Sequence, residues 1–299
     1  MNIRSFLHAI LAIVLLVSCS SSDNNTSTPN EDDGPAQVDK SQNLLATGAS
    51  ANDILSNSRF DKLVIEAAYA PGFRPSDAAM SGFQDFLRAN TFKTDIEIIY
   101  REIASTGQEF LTLDEIDELE QDNRTAYNDG STLAIYIFFA DAASDGDDLD
   151  EGLVTLGAVY RNTSMIIFES TIRLLANRSR TVTIEEIETA TLNHEFGHLF
   201  GLVNLGTTPV NDHEDPEADS HCVENPCLMR AELQFGAVSK LLGASAAKGK
   251  VHSSCSLNGL QLLKQMELRV SRGAAAAPPL DAECLLDLES NGGRPNSSS

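Results

Sequence analysis

The segment His194-Glu195-Phe196-Gly197-His198 sets two imidazoles four residues apart, with a carboxylate beside the first. In a helix that spacing puts residues about 40° apart around the axis, so both rings project from one face and bracket a single ion. Zinc suits such a pair, and Glu195 points to the side where a water on the metal would sit. The chemistry expected is hydrolysis, with zinc polarising a carbonyl and lowering the pKa of that water. Glu195 would take the water's proton as general base and pass it to a leaving amine.

A site of this kind needs a third protein ligand and leaves a fourth position open. The downstream candidates are His221, His213 and the carboxylates Asp212, Glu214, Asp215, Glu217 and Asp219. His213 stands in a highly charged stretch that is costly to bury, although the same negative field favours a cation. His252 is isolated among polar residues and reads as solvated.

The element carrying the pair is well marked. Thr183 and Glu186 form a capping box, and the helix they open runs to about Phe200 and breaks at Gly201. Ahead of it strands and helices alternate. Lys62 to Tyr69 reads as a strand, and Ser76 caps a helix carrying Met80, Phe83, Phe86 and Leu87. Asp95 to Ile103 is a strand, and Thr112 with Glu115 opens a polar helix that stops at Asn128-Asp129-Gly130. Leu133 to Ala140 is the most apolar strand and reads as central.

An acidic loop, Asp141 to Gly152, comes next; it reads as solvated, with a calcium site as the competing reading. Leu153 to Tyr160 and Met165 to Phe168 are close enough to form a hairpin, so one runs antiparallel, the first as the edge. Past Gly201 only a short helix near Leu280 to Leu288 stands out, stopped at Gly292-Gly293. The pattern predicts an α/β (α+β) domain: a mixed sheet with one antiparallel edge strand, an active-site helix and a small irregular C-terminal subdomain.

The first residues predict export. An apolar run from Phe6 to Val17 is too short to span a bilayer, and it ends in Leu16-Val17-Ser18-Cys19. That tetrad resembles a bacterial lipobox, which implies lipidation of Cys19; an ordinary signal peptide is the alternative. The expected organisation is a lipoprotein signal peptide over 1–18, a disordered tether over 19–55, the folded domain over 56–293 and a disordered tail over 294–299. The formal charge of -23 argues against nucleic acid and anionic lipid surfaces as partners. Cys222, Cys227, Cys255 and Cys284 remain. An even number in an exported chain predicts disulfides, Cys222 with Cys227 and Cys255 with Cys284. A zinc site of all four thiolates is the rival, although no Cys-x-x-Cys pair is present.

His194-Glu-x-x-His198-x-x-Gly201 resembles the metzincin clan of zinc metallopeptidases, in which a third histidine comes three residues after the glycine. Asn204 stands at that position here. His221-Cys222-x4-Cys227-x-Met229 is similar to the archaemetzincin order of third histidine, two cysteines and Met-turn methionine. The resemblance implies His221 as third ligand, His213 being the alternative, and Met229 packed beneath the metal as the Met-turn. The tyrosine that some metzincins carry two residues after that methionine is replaced by Ala231. His194 to Met229, the Leu156-Gly-x-x-Tyr160-Arg-Asn-Thr-Ser stretch and the Asp281-to-Gly293 tail look like lipid-anchored bacterial membrane metalloproteases. The resemblance further implies a metzincin-like fold and a zinc endopeptidase acting on protein or peptide. It would be anchored in the cell envelope, on the outer membrane, facing periplasm or exterior. The alternative from another class is a surface binding lipoprotein with a structural or vestigial zinc site.

Overall fold

The computed structural model describes residues 38–148, 150–231 and 253–295, with backbone alone for 253–257. The signal segment, Cys19, His252 and residues 296–299 lie outside the described residues.

A 3-10 turn (Ser41–Asn43) and α1 (Ala51–Leu55) precede β1 (Lys62–Tyr69) and α2 (Asp77–Asn90). Next come β2 (Asp95–Glu102), β3 (Phe110–Leu111), α3 (Leu113–Asn123), β4 (Thr132–Phe139) and β5 (Ala143–Ser144). β6 (Leu153–Arg161), β7 (Ser164–Ile167), α4 (Glu169–Ala176) and α5 (Ile184–Leu199) continue the chain. β8 (Glu214–Asp215), β9 (Ala218–Cys222), β10 (Ser253–Asn258), α6 (Gly259–Ser271) and α7 (Ala282–Ser290) complete the order.

The main sheet runs β10-β6-β7-β4-β1-β2. β2, β1, β4 and β7 are parallel, β6 is antiparallel to β7, and β10 is antiparallel to β6. The fold is thus mixed α/β (α+β), mainly parallel with an antiparallel edge, as the sequence predicts. The edge is one strand wider than expected, because β10 pairs outside β6. Polar and without alternation, β10 is held by backbone pairing that leaves no periodic trace. β4 shows why its run is continuously apolar. Leu133, Ile135, Ile137 and Phe139 face the layer that holds α2, α5 and α6, while Tyr136 and Phe138 face Ile116 of α3.

Two capping boxes, at Thr112/Glu115 and Thr183/Glu186, are both formed. Besides the short α1, two helices go beyond the sequence pattern. α4 buries Ile172, Leu175 and Ala176, and α6 buries Leu262, Leu263 and Met266 behind an Asn258 N-cap. Their helical spacing is present in the sequence but spans too few turns to stand out from loop.

The tether boundary needs correction. Residues 38–55 are part of the folded domain: Ile54 and Leu55 are fully buried in the core, and Asn43 donates to the Ala134 carbonyl at 3.1 Å. Asn162 accepts from the Leu45 amide at 3.0 Å and donates to Ser50 at 2.7 Å, so the β6–β7 turn is the receptor for this segment. Polar residues such as Asn43 and Ser50 read as tether, yet both take buried hydrogen-bond partners. At the other end Arg294 is fastened too, its amide donating to the Asn90 carbonyl at 2.9 Å, so the expected tail starts after it.

A buried carboxylate pair fixes α5 against its neighbours. Glu188 of α5 accepts from the Ser76 hydroxyl at 2.5 Å, while Glu169 of α4 accepts from Arg173 at 2.7 Å. Burial, then the neighbouring Glu188 charge, pushes Glu169 up to about 8; burial also raises Glu188. A carboxyl whose folded pKa is raised supports the fold below its unfolded value and loses that support as pH climbs through the folded one. Glu169→Gln keeps the shape without the charge. Between about pH 5 and pH 8 the wild type should lose stability relative to this variant. Parallel denaturant titrations across that range that track one another would refute it.

Candidate metal centre

α5 is buried nearly all round, so its polar residues must each meet a partner. Phe196 packs edge-on against Phe83 at 5.1 Å, and Phe200 stacks on Phe86 at 5.8 Å, which locks the helix onto α2. At its end Gly201 takes φ +73°, and the Leu202 amide reaches back to the Gly197 carbonyl at 3.2 Å. Asn291, after α7, donates to the Phe200 carbonyl and to Thr207 at 3.0 Å each. The Asp281-to-Gly293 tail thus braces the end of the histidine helix.

His194, His198 and His221 converge. Their ring centroids lie 4.9, 5.0 and 5.4 Å apart, and one ligand atom from each falls within 4.8 Å of the others. Ligand nitrogens around a tetrahedral ion stand about 3.4 Å apart, so a small closure completes the set. Two of the rings are oriented by backbone: His194 Nδ1 donates to the Leu228 carbonyl at 2.7 Å, and His221 Nδ1 to the Asp219 carbonyl at 2.8 Å. In each, Nε2 is therefore the nitrogen offered to an ion. Burial is the main cause that holds His194 down at about 3, His221 at about 4 and His198 well below its usual value. All three are neutral near pH 7, the form that ligates. The donor set fits a metal ion.

Glu195 is buried against β6. A Cβ on Gly157 would lie 2.6 Å from Glu195 Cγ and 2.9 Å from Oε1, so only glycine leaves that carboxylate its place. Beside it opens a cleft of about 380 Å³, part of it open to solvent, lined by Leu156, Ile187, Ala190, Leu262 and Met266. Arg230 stands at its rim and donates to the Val223 carbonyl at 2.7 Å.

Met229 is fully buried beneath the helix: a Cβ on Gly197 would sit 2.2 Å from its Sδ. Its carbonyl accepts from the Cys222 amide at 2.8 Å. Asn204 is turned away, bonded to Glu214 at 3.0 Å. Among the carboxylate candidates none joins the three rings. The acidic loop forms no metal group among the described residues; Thr155 and Leu153 bond back to Asp147 and Asp148 instead. Residue type does not single out Gly157 and Leu228, since a glycine and a backbone carbonyl carry no chemical signature.

Two expectations are overturned. His213 is no alternative third ligand: it is buried elsewhere, its Nε2 donating to Asp287 at 2.9 Å and its Nδ1 lying 3.3 Å from Cys222 Sγ. Of its charged neighbours Asp212 is exposed and Glu214 and Asp215 are half-buried, while Asp287 meets the buried ring from a distant helix. Nor does the Cys222–Cys227 disulfide form. Cys222, Cys227 and Cys284 are free, Cys284 lies 3.5 Å from Cys227 instead of pairing with Cys255, and the Cys255 side chain lies outside the described residues.

No protein-family model matches the chain, and no curated protein gives a significant match.

Proposed function

We propose that this chain is a zinc-dependent endopeptidase held to a bacterial membrane by a lipid on Cys19. The observation that carries the reading is the convergence of three buried imidazoles, with one of them, His194, and its neighbour Glu195 lining an apolar cleft. Zinc is the ion of choice because it accepts His194, His198 and His221 with one position left open. When bound, it supplies a Lewis acid that lowers the pKa of water and polarises a carbonyl.

The chain's own residues do the rest. Glu195 takes the proton from the attacking water and delivers it to the leaving amine. Gly157 keeps that carboxylate flush with β6, and the Leu228 and Asp219 carbonyls keep two of the rings turned toward the ion. Leu156, Ile187 and Met266 offer an apolar wall to a substrate side chain beside the scissile bond. A purely structural metal site needs no carboxylate at its side, which weighs against the binding-lipoprotein alternative. The anchor rests on Leu16-Val17-Ser18-Cys19 and the polar stretch behind it.

Glu195→Gln should lower protein hydrolysis by about 10²- to 10⁴-fold while metal content stays unchanged. Gly157→Ala should act in the same direction by pushing the carboxylate aside. Casein cleavage at the wild-type rate by the purified Gln variant would refute the assignment of the base. Cys19→Ala should move the protein from the membrane to the soluble fraction and abolish palmitate labelling; continued labelling defeats the anchor.

A further inference from the structure

The outer edge of the main sheet beside the candidate centre is closed by β10. This strand runs antiparallel to β6, with Ser253 opposite Val159, Ser254 opposite Ala158, Ser256 opposite Thr155 and Asn258 opposite Leu153. The register shifts once, between Ser254 and Ser256, so Cys255 stands across from two residues of β6, Leu156 and Gly157. Both of those residues line the cleft, and Gly157 is the one that leaves Glu195 its place. The middle of β10 thus lies one strand spacing, about 4.8 Å, from the part of β6 that backs the carboxylate.

Extended peptides dock by adding a strand to a sheet edge, where main-chain hydrogen bonds supply affinity. β6 is the strand beside Glu195. Its inner edge is paired with β7, and its outer edge, from Leu153 to Val159, with β10. β10 therefore stands where a peptide strand would join the sheet at this site. What holds it differs from what holds the helix that follows. Ser253-Ser254-Cys255-Ser256-Leu257-Asn258 brings one large apolar residue, so its pairing rests on main-chain hydrogen bonds, and these exchange for others at small net cost. α6 is anchored by burial instead: Leu262, Leu263 and Met266 sit in the core, and a Cβ on Gly259 would lie 2.7 Å from Leu175 Cδ2. The junction is fastened at the helix, with Asn258 accepting from the Gln261 amide and the Gly259 amide donating to the Gly152 carbonyl, each at 3.1 Å.

We propose that β10 is a displaceable strap: it occupies the peptide-docking edge of β6, so the chain is held latent by its own strand until an extended peptide exchanges with it. The rival is a permanent edge strand that only shields the sheet. The register break beside Gly157 and the scarcity of apolar residues favour the strap, because both weaken the strand where it meets the cleft. When β10 peels away, α6 stays, and Leu262 and Met266 remain as cleft wall. The proposal takes its ligand, an extended peptide, from the peptidase reading; the peeling of β10 does not depend on that reading.

The test is peptide binding in the Glu195→Gln background, which should bind without cleaving. Adding a short fluorescein-labelled casein peptide to this full chain should speed hydrogen exchange at Ser254 to Leu257, while Leu262 to Met266 keep their protection. That measurement needs no change in β10. Ser253→Pro/Ser254→Pro removes whichever of two neighbouring amides faces β6 and so loosens the strap. The same peptide should then bind about tenfold more tightly, the gain expected if the edge is open in about one chain in ten before the change. Equal affinity, binding that leaves exchange at β10 unchanged, or a peptide that binds neither chain would overturn the strap. With Glu195 restored, the proline variant should cleave casein with a lower KM and the same kcat. If no chain cleaves casein while the loosened one binds peptide more tightly, the peptidase reading falls and the strap stands. Cleavage by wild type with no gain from the prolines leaves the peptidase and removes the strap.

Discussion

The candidate centre depends on one constraint: the short stretch from His221 to Met229 must be held against α5. Two backbone contacts do this. The Leu228 carbonyl takes the Nδ1 proton of His194, and the Cys222 amide meets the Met229 carbonyl at 2.8 Å. The first contact selects the tautomer that makes Nε2 the ligating nitrogen; the second closes the stretch into a loop, so that His221 returns opposite the residue packed under the helix. Remove either and three imidazoles spread over about thirty residues of chain have no reason to meet. The Leu228 amide is itself bonded to the Pro279 carbonyl at 2.9 Å, so the segment before α7 shares the task.

Absent side chains matter here as much as present ones. Gly157 on β6 and Gly197 on α5 are both positions where a methyl group would enter occupied space, one against Glu195, the other against Met229. Neither has a positive φ, so the requirement is for close approach and not for an unusual backbone. Together they let the helix sit tightly between sheet and Met229 loop. Close-packed interiors transmit such constraints because no void is available to absorb a displaced atom.

Much of this arrangement is legible in the sequence. The pair of capping boxes, the fourfold spacing of His194 and His198, and the run of β4 are local signals, and local signals survive in sequence. His221 is reached through its likeness to a known order of histidine, cysteines and methionine. Composition misleads where specific partners draw polar residues into the core: Asn43 and Ser50 look like tether until Asn162, Thr163 and the Ala134 carbonyl are seen around them. His213 misleads in the same way, since its partner Asp287 lies seventy-four residues on. Pairing the cysteines with near neighbours in sequence fails because Cys227 meets Cys284 across fifty-seven residues. Sequence spacing reports contacts within an element; it is silent on contacts closed by the return of a distant helix.

The ionisable groups on α5 show how one helix can serve both fold and chemistry. Glu188, His194, Glu195 and His198 all lie on a helix that is buried nearly all round, where a charge without compensation is costly. The structure meets that cost differently at each end. Near its start, Glu188 shares a site with Glu169, Arg173 and the Ser76 hydroxyl, so one proton and one cation lower the charge of the pair. Near its end, the imidazoles meet it by staying neutral, held far below their usual pKa by burial and by one another. Protons are thereby made poor competitors for the lone pairs that a divalent cation could share. The burial that makes the three histidines unfavourable as charged groups is what leaves their lone pairs able to take a metal ion.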